Sequence, residues 1–330
     1  MSVRHYAFHG VGITISSEDT RLVEAIDGRL RHFRRHVGDP GSLEFRFRFV
    51  GGPEEHAVQR PGGRGRPVYE PPEGEVTYFE AEDVLYIDYV DRVRVLCDAG
   101  SASVATSALA SERDSLWLLS RPLFTLPLVE LLKRRGLYSV HAAGLAADGQ
   151  AILVAGGSGS GKSTLALALL RAGFEFLGDD MLFLARDADG IRVCSFPDEI
   201  DLADETLSWF PELVPLAAAG GRSGDWPKHR VRAEEAYGAG FVAACPPGIV
   251  VFPVISDGEE SVVEPLSRDE ALRELVPNVL LTDPEPAQAH LDALGDLVRD
   301  SECYRLAAAR DFERVAELVR ALTRHSGAGV

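Results

Sequence analysis

The chain predicts an α/β fold preceded by a small α+β domain, on three observations. A buried-strand run, a glycine loop and an Ala/Leu-rich helix follow one another between residues 151 and 172. Short alternating runs broken by one helical segment fill the first hundred residues. The C-terminal third alternates strand-like and helix-like stretches. A length of 330 residues suffices for two ordinary domains. The division is placed near residue 115: an α+β domain over 1–115 and the larger domain over 116–330.

In the first part, Ala7-Phe8 and Val11 to Ile15 read as strand. Glu18 to Val37 carries Leu22, Val23, Ile26, Leu30 and Phe33 at helical spacing. Leu43 to Phe49 alternates with period two and has an arginine-bearing face. Glycine, proline and charge from Gly51 to Glu75 predict a loop. Strand-like runs return at Val76–Phe79, Val84–Ile87 and Arg92–Leu96. An antiparallel sheet with one helix is the economical arrangement. A second helix follows Pro122 and stops at Gly136, with Pro127 either inside it or at its start.

Leu137 to Ala146 reads as a strand, and Asp148-Gly149 before the next apolar run is a hairpin signal. That puts His141 on a strand paired with Ala151–Ala155. Next come Gly156, Gly157, Ser158, Gly159, Ser160, Gly161, Lys162 and Ser163, which fit G-x-x-x-x-G-K-[ST]. Thr164 to Ala172 continues as a helix that Gly173 should stop. Glycines let successive N–H groups turn inward, and a helix N-terminus adds positive potential where a polyphosphate would lie. Lys162 is placed to reach the β- and γ-phosphates, and the Ser163 hydroxyl to ligate a metal. Gly156 to Thr164 is therefore the candidate nucleotide site, with ATP and Mg²⁺ as the cofactors it calls for. A dinucleotide turn is the rival, since Gly157-Ser158-Gly159 could open G-x-G-x-x-G with Asp179 as its acidic residue. Lys162 then stands where a third glycine must pack helix on strand, which disfavours it.

Composition narrows the partners. With 34 basic against 51 acidic side chains the formal charge is −17, whereas nucleic-acid binding normally needs a basic footprint. A local nest of N–H groups and one lysine can still hold ATP. Cys97, Cys194, Cys245 and Cys303 are far apart, form no C-x-x-C pair and read as scattered thiols in a reducing compartment. No stretch approaches a membrane span, and no basic-then-apolar leader opens the chain. The expectation is a cytoplasmic protein with no nucleic-acid or membrane partner; a homo-oligomer is allowed.

Beyond the helix, Phe174 to Gly178 runs into Asp179-Asp180. Carboxylates at the end of a buried strand beside such a loop hold Mg²⁺ or position a nucleophile. Two adjacent ones permit a division of labour, one ionised at the metal and the other with raised proton affinity. The order His141, G-x-x-x-x-G-K-S, Arg171-Ala172-Gly173 and Gly178-Asp179-Asp180 resembles the HPr kinase/phosphorylase family, within the HPr-kinase-like proteins related to the phosphoenolpyruvate carboxykinases. The likeness covers about residues 137 to 185. It implies a P-loop (Walker A) kinase domain of that type, a transferase carrying out ATP-dependent phosphorylation of a seryl hydroxyl. By position it implies Asp179 as the base, Asp180 and Ser163 on the metal, Lys162 on the phosphates and His141 near the reacting centre. The glutamate-arginine-glycine segment tied to phosphorylase activity has no counterpart here. Phe196 to Leu202 stands in its place, so the reverse reaction and HPr as acceptor are not implied.

Several flanking residues stay open on the sequence. Glu199 is either a second metal ligand or an exposed acidic turn. Lys228, Arg230 and Arg232 are either solvated surface or a loop closing on transferred phosphate. Residues 203–247 are punctuated by glycine and proline and suit a lid or substrate insertion. Gly248–Ile255 reads as a buried strand, Leu266–Val276 and Pro286–Val298 as helices, Tyr304–Leu306 as a strand and Asp311–Val319 as a helix capped by Asp311. The expected function is a kinase acting on a hydroxyl, serine of a protein or peptide first and a small molecule second. An ATP-binding regulatory module without transfer is the alternative.

Overall fold

A computed structural model describes residues 1–69, 74–220, 228–282 and 284–326. Contacts divide the chain into two units, Met1–Gly136 with Leu281–Ala287, and Leu137–Leu280 with Gln288–Val330.

The first unit holds β1 (Ser2–Phe8), β2 (Val11–Ser17), α1 (Thr20–Leu30), β3 (Arg34–Arg35), β4 (Leu43–Val50), β5 (Arg66–Tyr69), β6 (Glu75–Phe79), β7 (Val84–Tyr89), β8 (Val93–Asp98), β9 (Ser103–Leu109), α2 (Leu116–Ser120) and α3 (Pro122–Lys133). Its sheet runs β3-β1-β2-β4-β9-β8-β7-β6-β5. The sheet is mixed rather than antiparallel: β2 pairs β4, and β4 pairs β9, in parallel. Parallel neighbours need a long crossover, and α1 supplies it between β2 and β4. α1 ends at Leu30, short of the expected Val37, because Arg34 and Arg35 pair with β1. Asp19 caps it by accepting from the Arg21 N–H at 3.0 Å. The glycine- and proline-rich stretch from Gly51 to Glu75 contributes β5 to the sheet edge, so it is less irregular than expected.

α3 starts at Pro122 and carries Pro127 within it. It belongs to the first unit, so the division falls at Gly136 and not near residue 115. The reason is packing. Phe124 meets Phe45 of β4 at 5.0 Å between ring centroids, and the Cys97 thiol of β8 lies 3.8 Å from the Pro127 carbonyl. On the same helix Lys133 and Glu130, both fully buried, pair at 2.6 Å. The Thr282 hydroxyl donates to Glu130 at 2.7 Å, which ties Leu281–Ala287 to this unit.

The second unit begins with β10 (Leu137–Val140), β11 (Ala142–Ala147), β12 (Gln150–Ala155), α4 (Lys162–Arg171), β13 (Glu175–Gly178), β14 (Leu182–Asp187), β15 (Gly190–Cys194) and β16 (Ile200–Leu202). It continues with α5 (Asp204–Trp209), α6 (Val214–Gly220), β17 (His229–Val231), α7 (Ala233–Tyr237), β18 (Ala244–Cys245), β19 (Pro247–Ile255), β20 (Val262–Pro265), α8 (Arg268–Leu275), α9 (Pro284–Arg299), β21 (Glu302–Ala308) and α10 (Phe312–Ser326). A six-stranded sheet, β13-β11-β12-β19-β21-β20, forms its centre; β10-β14-β15-β18 is a second sheet and β16-β17 a small third. β11 and β12 are buried on both faces, as central strands must be. Ala143, Leu145, Ile152 and Val154 face α4 and α10, while Ala142, Ala146, Ala151 and Leu153 face β14 and α9.

The turn between β11 and β12 has φ of 52° at Asp148 and 77° at Gly149, the two-residue hairpin form the Asp-Gly pair signals. α4 stops as expected. Gly173, at φ 85°, donates to the Leu170 carbonyl and Phe174 to that of Leu169, the paired bonds of a glycine C-terminus. Leu137 to Ala146, expected as one strand, is two. β10 pairs β14 in the second sheet and β11 pairs β12 in the first, so the chain changes sheets at residue 141. Asp311 stands immediately before α10, its carbonyl accepting from the Val315 N–H at 3.0 Å, and its carboxylate accepts from the Ser261 N–H at 2.9 Å and pairs with the Ser261 hydroxyl. Residues 203–247 hold three helices and two short strands, more regular structure than the composition suggests, and residues 221–227 lie outside the described set.

Candidate functional site

Strand order brings three separate segments to one sheet edge. β11 is antiparallel to both β12 and β13, with Ala142 opposite Ala155 and Gly144 opposite Gly178. The C-terminal ends of β12 and β13 therefore flank the N-terminal end of β11. The glycine loop leaves β12 there, Asp179-Asp180 leave β13, and His141 enters β11.

The loop has the backbone its glycines permit. Gly156, Gly159 and Gly161 sit at φ 149°, 79° and 97°, conformations that only glycine adopts without strain. No side chain caps α4, so its first N–H groups have no side-chain acceptor. Lys162 is buried and folded back on the loop, donating to the carbonyls of Gly156 at 2.8 Å and Gly157 at 3.1 Å. Burial pulls its ammonium below the ordinary lysine value, against the opposing charges of Asp180 and Asp179.

Asp179 is 4 % exposed, and its Oδ2 accepts from the Ser163 hydroxyl at 3.0 Å. Burial, reinforced by the Asp180 charge, pushes its carboxyl from 3.8 up to about 7. Asp180 is unlike it in every respect. Its side chain is 79 % exposed and its backbone is left-handed, at φ 72°. The Asp180 carbonyl lies 2.8 Å from His141 Nδ1, and its carboxylate oxygen 3.2 Å from the same atom. A carbonyl only accepts, so Nδ1 donates. His141 is thus held at the break between β10 and β11, not on a strand as expected, with its N–H bonded to the Asn278 carbonyl at 2.8 Å.

Gly178 makes this arrangement sterically possible. A Cβ there would lie 2.6 Å from the Phe196 carbonyl oxygen and 3.1 Å from that of Met181, both backbone atoms. Gly178→Ala is expected to cost about 1–3 kcal/mol as the strand end shifts. Urea unfolding of the variant checks it, and an unchanged midpoint would show the strand end to be pliable.

The residues fit the groups the motif calls for. Among the described residues, the buried Lys162 ammonium has carbonyl contacts and no ion pair with a carboxylate; an anion would complete it. Asp179 Oδ1 is buried with no hydrogen-bond partner, beside the Ser163 hydroxyl; a cation or a donated proton would complete it. No cluster of three or more His, Cys, Asp or Glu side chains forms a metal cage among the described residues. Mg²⁺ in phosphate sites needs none, since one or two protein oxygens plus phosphate and water satisfy it.

Other predicted residues are placed as follows. Of the pair read as metal ligands, Ser163 is bonded to Asp179 and not to Asp180. Lys228 lies close enough for its charge to depress the Lys162 ammonium. Arg232 lies 3.6 Å from Glu199, and Arg230 lies 3.4 Å from Asp201, its cross-strand partner between β16 and β17. Asp201 was not singled out in the sequence, yet its charge helps raise Asp179. Its only sequence signal is an acid in the segment after the aspartate pair. Trp226 and Pro227 of the basic cluster lie outside the described residues. No helix among the described residues is long and apolar enough to cross a membrane. All four cysteines are buried, and burial pushes the Cys194 thiol up to about 12 and those of Cys245 and Cys303 up to about 11; such thiols are poor nucleophiles.

No family model matches the chain, and no curated protein matches it. Among solved structures it is similar to the Hpr(Ser) kinase/phosphatase from Coxiella burnetii, with a TM-score of 0.29 and 13 % identity over 58 % of this chain and 96 % of that one. A likeness that slight does not define a shared fold, and the site stands on its own residues.

Proposed function

We propose that the second unit is an ATP- and Mg²⁺-dependent kinase of the HPr-kinase-like P-loop type, transferring a phosphoryl group to a hydroxyl. The observation that carries this is the meeting, at one sheet edge, of a buried ammonium with only carbonyl contacts and a buried carboxyl with one oxygen unpartnered. A module that only bound nucleotide would have no use for a carboxyl whose proton affinity lies near neutrality.

Each residue then has a part. The amides of Gly156 to Thr164 and the Lys162 ammonium hold and orient the phosphates, Lys162 exchanging its carbonyl contacts for phosphate oxygens. Asp179 takes the proton of the acceptor hydroxyl, a task for which a value near 7 is well matched. Ser163 and Asp180 hold Mg²⁺, and His141, fixed through Nδ1, stands at the reacting edge. When bound, Mg²⁺ supplies neutralisation of charge on the phosphate oxygens. The Ser163–Asp179 hydrogen bond favours a second assignment, with Asp179 itself on the metal. The acceptor is a seryl hydroxyl of a protein or peptide, or a small-molecule hydroxyl.

Lys162→Ala tests the foundation. Loss of a charge-assisted contact is expected to weaken Mg·ATP binding by on the order of 1.5–3 kcal/mol. Isothermal titration with a non-hydrolysable analogue reads it, and equal affinity in variant and wild type would remove the nucleotide site.

A further inference from the structure

The glycine loop has a second neighbour that the phosphates do not use. A cavity of about 150 Å³ opens against Ser160, Gly161 and Thr164, on the side of the loop away from Asp179 and His141. The strand order fixes this. β12 has β11 and then β13 on one flank, and β19 and then β21 on the other, all parallel to it except β11. The segments that follow β19 and β21, Ser256-Asp257 and Ala309-Arg310, therefore line the cavity at the same sheet edge as the loop. Ligands of open α/β sheets lie outside such carboxyl ends.

Its walls suit one planar ring. Trp209, Phe312, Leu165 and Pro253 supply apolar and aromatic surface, and Ile255 stands at the mouth with 67 % of its surface exposed. The Arg310 guanidinium lies over the Trp209 ring at 5.2 Å. Its side chain is 76 % exposed and stands 4.0 Å from the Glu205 carboxylate, an exposed contact that an entering ring can displace. Glu205 and Asp257 add carboxylate oxygens, which accept from an exocyclic amino group. Pockets for whole drug-sized ligands run to roughly 300–1,000 Å³, so this one holds a part of a ligand. Ser160 Oγ, buried on the loop with no partner, points to a polar group still to be met there.

We infer that this cavity seats the nucleobase of the nucleotide, with Trp209 as its stacking surface. The phosphate chain then runs across the loop from the β19–β21 flank toward Asp179, and the acceptor hydroxyl enters from the His141 side. This rests on the phosphate-site reading above, and the test separates the two. ATP and inorganic tripolyphosphate, each with Mg²⁺, are titrated into wild type, Trp209→Ala and Ala308→Phe, the last narrowing the cavity. Wild type is expected to hold ATP roughly 10- to 100-fold more tightly than tripolyphosphate, and Trp209→Ala to weaken ATP by about 5- to 100-fold, the worth of one base–aromatic stack. Tripolyphosphate affinity should stay within about twofold in both variants, which also shows that they fold. Equal affinity for the two ligands in wild type, or unaltered ATP binding in both variants, overturns the base pocket and leaves the phosphate site standing. Failure of wild type to bind either ligand overturns both.

Discussion

Asp179→Asn is expected to retain Mg·ATP binding and to lose phosphoryl transfer by roughly 10²–10⁴-fold, the usual worth of a positioned general base. Asparagine keeps the shape and can still accept from the Ser163 hydroxyl, which now donates to Asp179 Oδ2 at 3.0 Å. What it removes is the carboxyl that takes the proton. Asp180→Asn should act differently, weakening Mg²⁺-dependent binding together with turnover, because a metal ligand serves ground and transition states alike. Titration of Mg·ATP and single-turnover transfer to candidate peptides or free serine read the two effects. Loss of Mg²⁺-dependent binding in Asp179→Asn would move that residue to the metal, as its bond to Ser163 favours. Wild-type transfer in Asp179→Asn would exclude it from the chemistry. A wild-type protein that binds Mg·ATP and transfers to no acceptor would favour a regulatory module.

The nucleotide-free protein is expected to lose stability, relative to Asp179→Asn, as pH rises from about 4 to about 7. Burial raises the folded carboxyl from 3.8 to about 7, so the folded state binds that proton more tightly than the unfolded state. The stabilisation is fully present below the unfolded value and is gone once pH has passed the folded one. At 1.36 kcal/mol per tenfold change in proton affinity, the span corresponds to on the order of 4 kcal/mol. Asparagine does not titrate and escapes the loss. Urea unfolding of both proteins, in chelator at about pH 5 and about pH 8.5, measures, as a widening gap between them, the part of that loss above pH 5, on the order of 3 kcal/mol. A gap that does not widen would mean that the Asp179 carboxyl is ionised without penalty. Transfer should follow the opposite limb, rising with pH as the base loses its proton.

Parts of the site were legible because their physics is local. Gly156 to Ser163 needs left-handed backbone at fixed offsets, and glycine at those offsets declares it. The Asp148-Gly149 turn and the stop at Gly173 are equally local, each requiring positive φ within one or two residues. His141, expected on a strand, lies at the break between β10 and β11, where it meets the Asp180 carbonyl. Periodicity shows that Leu137 to Ala146 is extended, yet it carries no sign that β10 pairs β14 while β11 pairs β12. The same limit hid the parallel pairing of β4 and the attachment of α3 to the first unit, since both depend on partners remote in the chain.

The sequence by itself determined a strand, a phosphate-type loop and a helix in succession, with an aspartate pair at the end of the next strand. These features follow from backbone sterics and apolar runs a few residues long. Only the tertiary structure decided which aspartate is buried, at a strand end where Gly178 packs against the Phe196 carbonyl, and which charges raise its proton affinity, those of Asp180 and Asp201. It alone also put Trp209, Ile255 and Arg310 around one cavity at the loop. Those residues come from α5, the end of β19 and the segment after β21, strands paired across stretches of chain that no short-range pattern can register. Burial and long-range pairing set proton affinity and pocket shape, and both are properties of the assembled sheet.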